Sequence, residues 1–406
     1  MSISHEADAG RSAAAYRAFT GAAIWRRGFR PFFLGAAVWA AVAISLWPFV
    51  HSGRLQLATA FSAIDWHAHE MIFGYLAAVV AGFLTTAVPN WTGRLPVSRA
   101  PLAGLVALWV AGRIAMFCSA DLGRPLAAAI DSAFLIAFAA VIAREVVAGK
   151  NGRNGKLVVM VAALAAANLA FHYEDAARGF AEYSQRGALA LVVMLILVIG
   201  GRVTPSFTNN WLARAGSKLR PEPFGKFDAA MMAFSALALA AWVAAPYAQA
   251  TGALALAAGV GNFVRLARWR GWATRSDALV FVLHAGFGLA AAGFLAVGAS
   301  ALFPAALPYD AALHVWSIGA AGMMTLAMMT RATLGHSGQP LAASRWAKAA
   351  YGLIGAALAL RLALSLAPPR FETALFHAAA CAWVLAFAAF LWDYWPMLAR
   401  EPKPKR

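Results

Sequence analysis

The stretch Trp66-His67-Ala68-His69-Glu70-Met71-Ile72-Phe73-Gly74-Tyr75-Leu76, continued as AAVVAGFLTTAV to Val88, decides how the rest of the chain is read. From His67 onward it is apolar for longer than the ~18 residues needed to cross a hydrocarbon core. Yet two imidazoles and a carboxylate stand at its mouth. Ionisable groups at the entrance of a membrane span are costly to desolvate without partners, so they mark the place where chemistry is expected.

Outward from that segment, the pattern repeats. The 406 residues are 62% apolar, and the mean hydropathy is +0.66. That excludes a soluble globular chain, which has no way to bury so much apolar surface. Twelve spans are predicted, at about 32–50, 67–88, 101–119, 125–147, 157–174, 186–209, 228–247, 249–268, 276–302, 310–334, 343–366 and 371–395. The expected fold is all-α, a polytopic bundle of about twelve transmembrane helices. One membrane domain at 30–396 lies between an amino-terminal tail, 1–29, and a short basic tail, 397–406.

A net charge of +17 suggests nucleic acid in a soluble protein, but here its placement indicates topology. Basic residues crowd alternate loops: Arg11, Arg17, Arg26, Arg27 and Arg30, then Arg144, Lys150, Arg153 and Lys156. Arg214, Lys218, Arg220 and Lys226 follow, and then Arg265, Arg268, Arg270 and Arg275. The opposite loops hold only Arg54, Arg124, Arg178, Arg186 and Arg370. The positive-inside rule then puts both termini in the cytoplasm of a bacterial inner membrane, with the lipid bilayer as partner and no nucleic acid. No cleavable signal is evident, because the first apolar run follows a long Arg-bearing tail. Cys118 and Cys381 sit in apolar runs without CxxC or CxxCH spacing, which excludes a disulfide scaffold and covalent haem attachment.

An internal echo accompanies the topology. Span 2 ends GFLTTAVPNWTGRLP, span 6 ends GGRVTPSFTNNWL and span 10 ends MMTRATLGHSGQP, so every fourth helix closes in a Gly/Thr/Asn-rich segment. Three groups of four helices produce such a period. So does the ordinary use of Gly, Asn and Pro as helix terminators.

With about 1.5 Å of rise per helical residue, each histidine acquires a depth. His67, His69, His172 and His314 fall at the outer level; His284 and His336 fall nearer the inner one. Imidazole ligates both haem iron and copper, and neither metal requires ligands contiguous in sequence. His67 and His69 are two positions apart, which turns them about 200° from each other on a regular helix. They cannot both face one metal, and Glu70 is placed to orient either ring. Arg113 and Asp131 share the outer half, as a buried ion pair or with the arginine neutralising a haem propionate. His5 and His51 read as solvated, His377 as helix packing, and Met323, Met324, Met328 and Met329 as flexible core, although thioethers also suit Cu(I).

On these residues the chain resembles the NnrS family, membrane proteins described as binding haem and copper in the response to nitric oxide. The resemblance rests on FRPFFLGA, WHAHEMIFGYLAAVVAGFLTTAVPNWTGR, WVAGR, GGRVTPSFT, RLARWRG and HVWSIGAAGMMTLAMMTRATLGHSG, spread from Phe29 to Gln339. It implies non-covalent b-type haem and copper, with nitric oxide as partner and an electron donor that the sequence does not name. His69 or His67 with His314, and Arg113 nearby, would hold haem. Copper would sit elsewhere, at His67 with His172 or at His284 with His336. Histidines on the second and tenth of twelve spans are also similar to the catalytic subunit of haem-copper oxidases. Spans 6 and 7 lack histidine, however, and the copper motif of those enzymes is absent, which puts oxygen reduction in doubt. The resemblance implies relief of nitrosative stress, with nitric oxide reduction as the natural reaction if the protein turns over. A secondary transporter, and a non-catalytic sensor or metal-delivery protein, remain open as rivals.

Overall fold

The computed structural model describes residues 20–400. The amino-terminal His5, Arg11 and Arg17 and residues 401–406 of the carboxy-terminal tail lie outside them. Among the described residues, twelve helices are long and apolar enough to cross a membrane. They are α1 (Phe29–His51), α2 (Ala63–Thr92), α3 (Arg99–Phe117), α4 (Arg124–Ala148), α5 (Gly152–Arg178) and α6 (Tyr183–Arg214). The remainder are α7 (Lys226–Ala244), α8 (Gln249–Ala267), α9 (Ala278–Leu302), α10 (Tyr309–His336), α11 (Arg345–Leu364) and α12 (Pro369–Ala399). Each corresponds to a predicted span, because a run of apolar residues in lipid must satisfy its backbone polar groups internally and the helix does so at every residue. α2 starts at Ala63 rather than 67 because the Ser62 side chain accepts the Asp65 N–H and caps a turn ahead of the histidines.

Three helices form the centre. α2, α6 and α10 touch one another, and α2 and α10 are the most enclosed, with 78% and 72% of their apolar stretches buried. Around them the neighbours pair as α3 with α4, α7 with α8 and α11 with α12, and the seams between groups are α4 against α5, α8 against α9 and α12 against α1. The period-four echo in the sequence therefore has a structural counterpart in three groups of four, each contributing one central helix. Arg30 on α1 donates to the Arg400 carbonyl at 2.8 Å, which ties the two described ends to one face, as an even number of crossings requires.

The same three helices share a local distortion. A π-helical segment runs over Glu70–Leu76 in α2, Ile196–Gly200 in α6 and Val315–Gly322 in α10. In α2 and α10 it begins on the residue after a histidine, His69 and His314. A π segment inserts a residue into the helical ladder and re-aims side chains on either side, which is why such segments collect at functional sites. At Gly74, inside the α2 segment, the carbonyl also accepts from the Trp109 indole at 2.9 Å. Tyr75 in the same segment bonds Thr325 of α10, tying two central helices together at mid-membrane.

Candidate metal and haem centres

The two histidines of α2 face different neighbours. His67 stacks on Trp47 of α1, with ring centroids 4.2 Å apart, and lies in electrostatic range of His51, His314 and Arg361. His69 points the other way, into the α2–α4–α5 group, and is completely buried. This split follows from their spacing, since two residues of helix place side chains on opposite faces.

Around His69 the polar groups converge. Its Nε2 lies 3.0 Å from Asp131 Oδ2 and 3.0 Å from Asn168 Oδ1, and its Nδ1 lies 3.4 Å from Glu70 Oε1. His172 Nε2 donates to the same Asp131 oxygen at 3.0 Å, and Asn168 Nδ2 donates to it at 2.9 Å. Arg113 donates to Glu70 Oε2 at 2.6 Å and, through its other terminal nitrogen, to Asp131 Oδ1. All six side chains are buried. Two glycines make room for them. A Cβ at Gly74 would stand 2.7 Å from Arg113 Nη1 and 2.8 Å from Glu70 Oε2; one at Gly112 would stand 2.8 Å from Asp131 Oδ1.

Charge counting shows what this cluster lacks. Two carboxylates and one guanidinium leave a formal charge of −1 with both imidazoles neutral, in a region where an uncompensated charge is expensive. One more positive charge makes the site neutral, a proton on His69, whose two nitrogens both face carboxylate oxygens, or a Cu(I) ion; a divalent ion leaves it at +1. Ligand atoms from His69, Asp131 and His172 lie within 4.8 Å of one another, close enough to share one ion. Two imidazoles and a carboxylate suit copper, zinc and iron(II).

On the other side of α2, His314 is half-buried and its Nδ1 donates to the Asp310 carbonyl at 2.5 Å. That bond fixes the proton on Nδ1 and leaves Nε2 as the free ligand atom, the usual arrangement of a metal-binding histidine. Asp310 is in turn held by Arg361 of α11 at 2.6 Å. The Nδ1 of His67 is buried with no hydrogen-bond partner. Phe376 of α12 lies against Trp47 and His51, so the pair sits among aromatic side chains.

The chain belongs to the NnrS family. The family model for the NnrS protein matches residues 23–401, nearly the whole chain. No curated protein matches it significantly. The blocks quoted above for the NnrS resemblance contain the two α2 histidines, His314 and His336, and in WVAGR the arginine, Arg113, that joins Glu70 to Asp131. The haem and copper that this resemblance implies meet donors of the right chemistry in both places. His67 and His314 offer ring nitrogens not engaged by protein, and His69, Asp131 and His172 offer two ring nitrogens and a carboxylate oxygen that now bond one another.

Several sequence expectations are sorted by this geometry. His69 lies beside His172, whereas His67 faces the other side of α2, in electrostatic range of His314, so the pairing of His67 with His172 is not formed. Arg113 and Asp131 form the expected ion pair, which Glu70 extends. His284 and His336 keep separate company: His284 Nε2 bonds Thr208 at 2.7 Å and its ring lies by Trp269, whereas His336 meets Arg27 and Phe29. His377 packs on Phe49 and Phe376. Asn168 was missed by sequence reading. A lone asparagine mid-span gives little signal, although its spacing of four from His172 puts both on one helix face.

Proposed function

We propose that this protein is a haem- and copper-binding membrane protein of the nitric oxide response, with haem held between His67 and His314 and copper held by His69, Asp131 and His172. The observation that carries this reading is the division of labour on α2, whose π segment begins where its histidines part to two different sets of donors. Family membership supports the nitric oxide connection, and the basic residues crowding the face that bears both described ends support cytoplasmic termini in an inner membrane.

Ferrous haem, when bound, supplies a binding site for nitric oxide. The chain's own residues set the terms. Asp310 and Arg361 hold the His314 ring in one tautomer and orientation. Trp47 fixes the plane of His67 by stacking. Glu70 and Arg113 lock His69 and Asp131 from behind, so that the cluster on the far side of α2 keeps its donors aimed at one point. Glu70 stands one residue from His69 and three from His67, and so links the two centres along a single helix.

The reading is tested by purifying the full chain and recording its optical spectrum, reduced and with nitric oxide, beside iron and copper analysis. A Soret band that shifts with nitric oxide, together with bound copper, is expected. A protein carrying neither iron nor copper after membrane expression with both metals supplied refutes the reading and favours transport. Bound metals without consumption of nitric oxide, when reductant is supplied, would limit the role to sensing or delivery.

A further inference from the structure

At the end of the bundle opposite His314, the three central helices border a cavity of about 550 Å³. Thr86 and Asn90 of α2, Arg202 and Ser206 of α6, and Arg331 and His336 of α10 line it, so each helix of the central trio contributes polar groups. Among the described residues no carboxylate does. Arg331 is 6% exposed, its Nη1 has no hydrogen-bond partner, and its guanidinium carbon rests 3.9 Å from the centroid of the Phe207 ring. The charges in its electrostatic range are Asp277 and Arg214, with the neutral phenol of Tyr351 nearby. Asp277 is already engaged in capping α9, where it accepts the N–H groups of Leu279 and Val280. His336 takes its Nδ1 contact from Arg27 at 3.3 Å, which leaves Nε2–H as a donor. Arg202, at the exposed rim, lies over the Trp91 ring at 4.7 Å and donates to Asn154.

A buried guanidinium with a vacant N–H, a second arginine at the rim, and a hydroxyl or amide from each neighbouring helix make a receptor for an anion. We infer that this cavity binds a phosphate group, with Arg331 as its buried anchor and Arg202, Ser206 and Asn90 around it. Two features favour the phosphate of an anionic phospholipid headgroup over a free ion. The volume falls in the range that accommodates a molecule rather than a bare ion, and the cavity opens on the end that carries the basic loops, where anionic lipids gather. The site is independent of the metal centres at the other end of α2 and α10.

The test uses the full-length protein, delipidated in neutral detergent, with phosphatidylglycerol, phosphatidylcholine or inorganic phosphate added. Binding is read by native mass spectrometry and by the thermal midpoint. Phosphatidylglycerol is expected to bind at least tenfold tighter than phosphatidylcholine and to raise the midpoint. Arg331→Gln and the uncharged cavity-filling Ser206→Leu should each lose that preference, while Lys218→Gln, in an exposed loop outside the cavity, should keep it. A midpoint shift reproduced by inorganic phosphate alone, and lost in the same variants, identifies free phosphate as the ligand of the same site. Equal binding of both lipids with no phosphate effect overturns the inference, as does a phosphatidylglycerol preference that survives Ser206→Leu. That second variant decides the matter even if Arg331→Gln does not fold.

Discussion

Replacing Asp131 by asparagine puts the charge count of the buried cluster to a direct test. In the native chain Glu70, Asp131 and Arg113 sum to −1, so the cluster presents a net negative charge to a bound cation, which Cu(I) neutralises. In Asp131→Asn the Glu70–Arg113 pair balances itself, so the apoprotein loses no charge compensation and should remain folded and monodisperse. The metal, by contrast, loses a negative ligand. One unit charge at about 4 Å and an effective dielectric near 20 is worth roughly 4 kcal/mol, or about a thousandfold in affinity. Asparagine keeps the size and one oxygen, so the loss reports charge rather than shape. Competition titration with a chromogenic copper chelator, on protein whose elution profile matches the wild type, measures it. Copper affinity within tenfold of the wild type would refute the assignment of Asp131 as a ligand and leave the cluster as a proton-bearing ion network.

Three further outcomes follow from the geometry. His314→Ala and His67→Ala should each abolish or shift the Soret band while leaving copper content intact, and His69→Ala should do the reverse; a parallel loss of both in all three variants would contradict two separate centres. Gly74→Ala forces a methyl to within 2.8 Å of Arg113, Trp39 and Glu70, and overpacking of this kind costs about 1–3 kcal/mol, visible as a lowered thermal midpoint. Tyr75→Phe removes the hydroxyl that joins α2 to α10 and should cost about 1 kcal/mol in the same assay, with metal content unchanged.

The sequence by itself determined the number of crossings and their approximate limits, because in lipid the hydrophobic run and the helix are the same object, and it left the period of four open until helix contacts showed three groups. It also determined that His67 and His69 part company, since helix geometry is local. Which partner each takes was decided only in three dimensions. Asp131, Asn168 and His172 meet His69 because α4 and α5 pack against the same side of α2, and no spacing along the chain encodes that contact. The π segments escaped sequence reading for a related reason. A one-residue insertion in the ladder leaves an apolar run looking unchanged, and it persists where tertiary partners such as Trp109 take up a carbonyl inside the segment. The ligand-ready tautomer of His314 likewise depends on a carbonyl four residues earlier, itself held in register by Arg361 from a helix fifty positions away. Convergence of polar groups inside a bundle is a property of helix packing, and packing is what the pattern of apolar residues in a uniformly apolar sequence leaves unspecified.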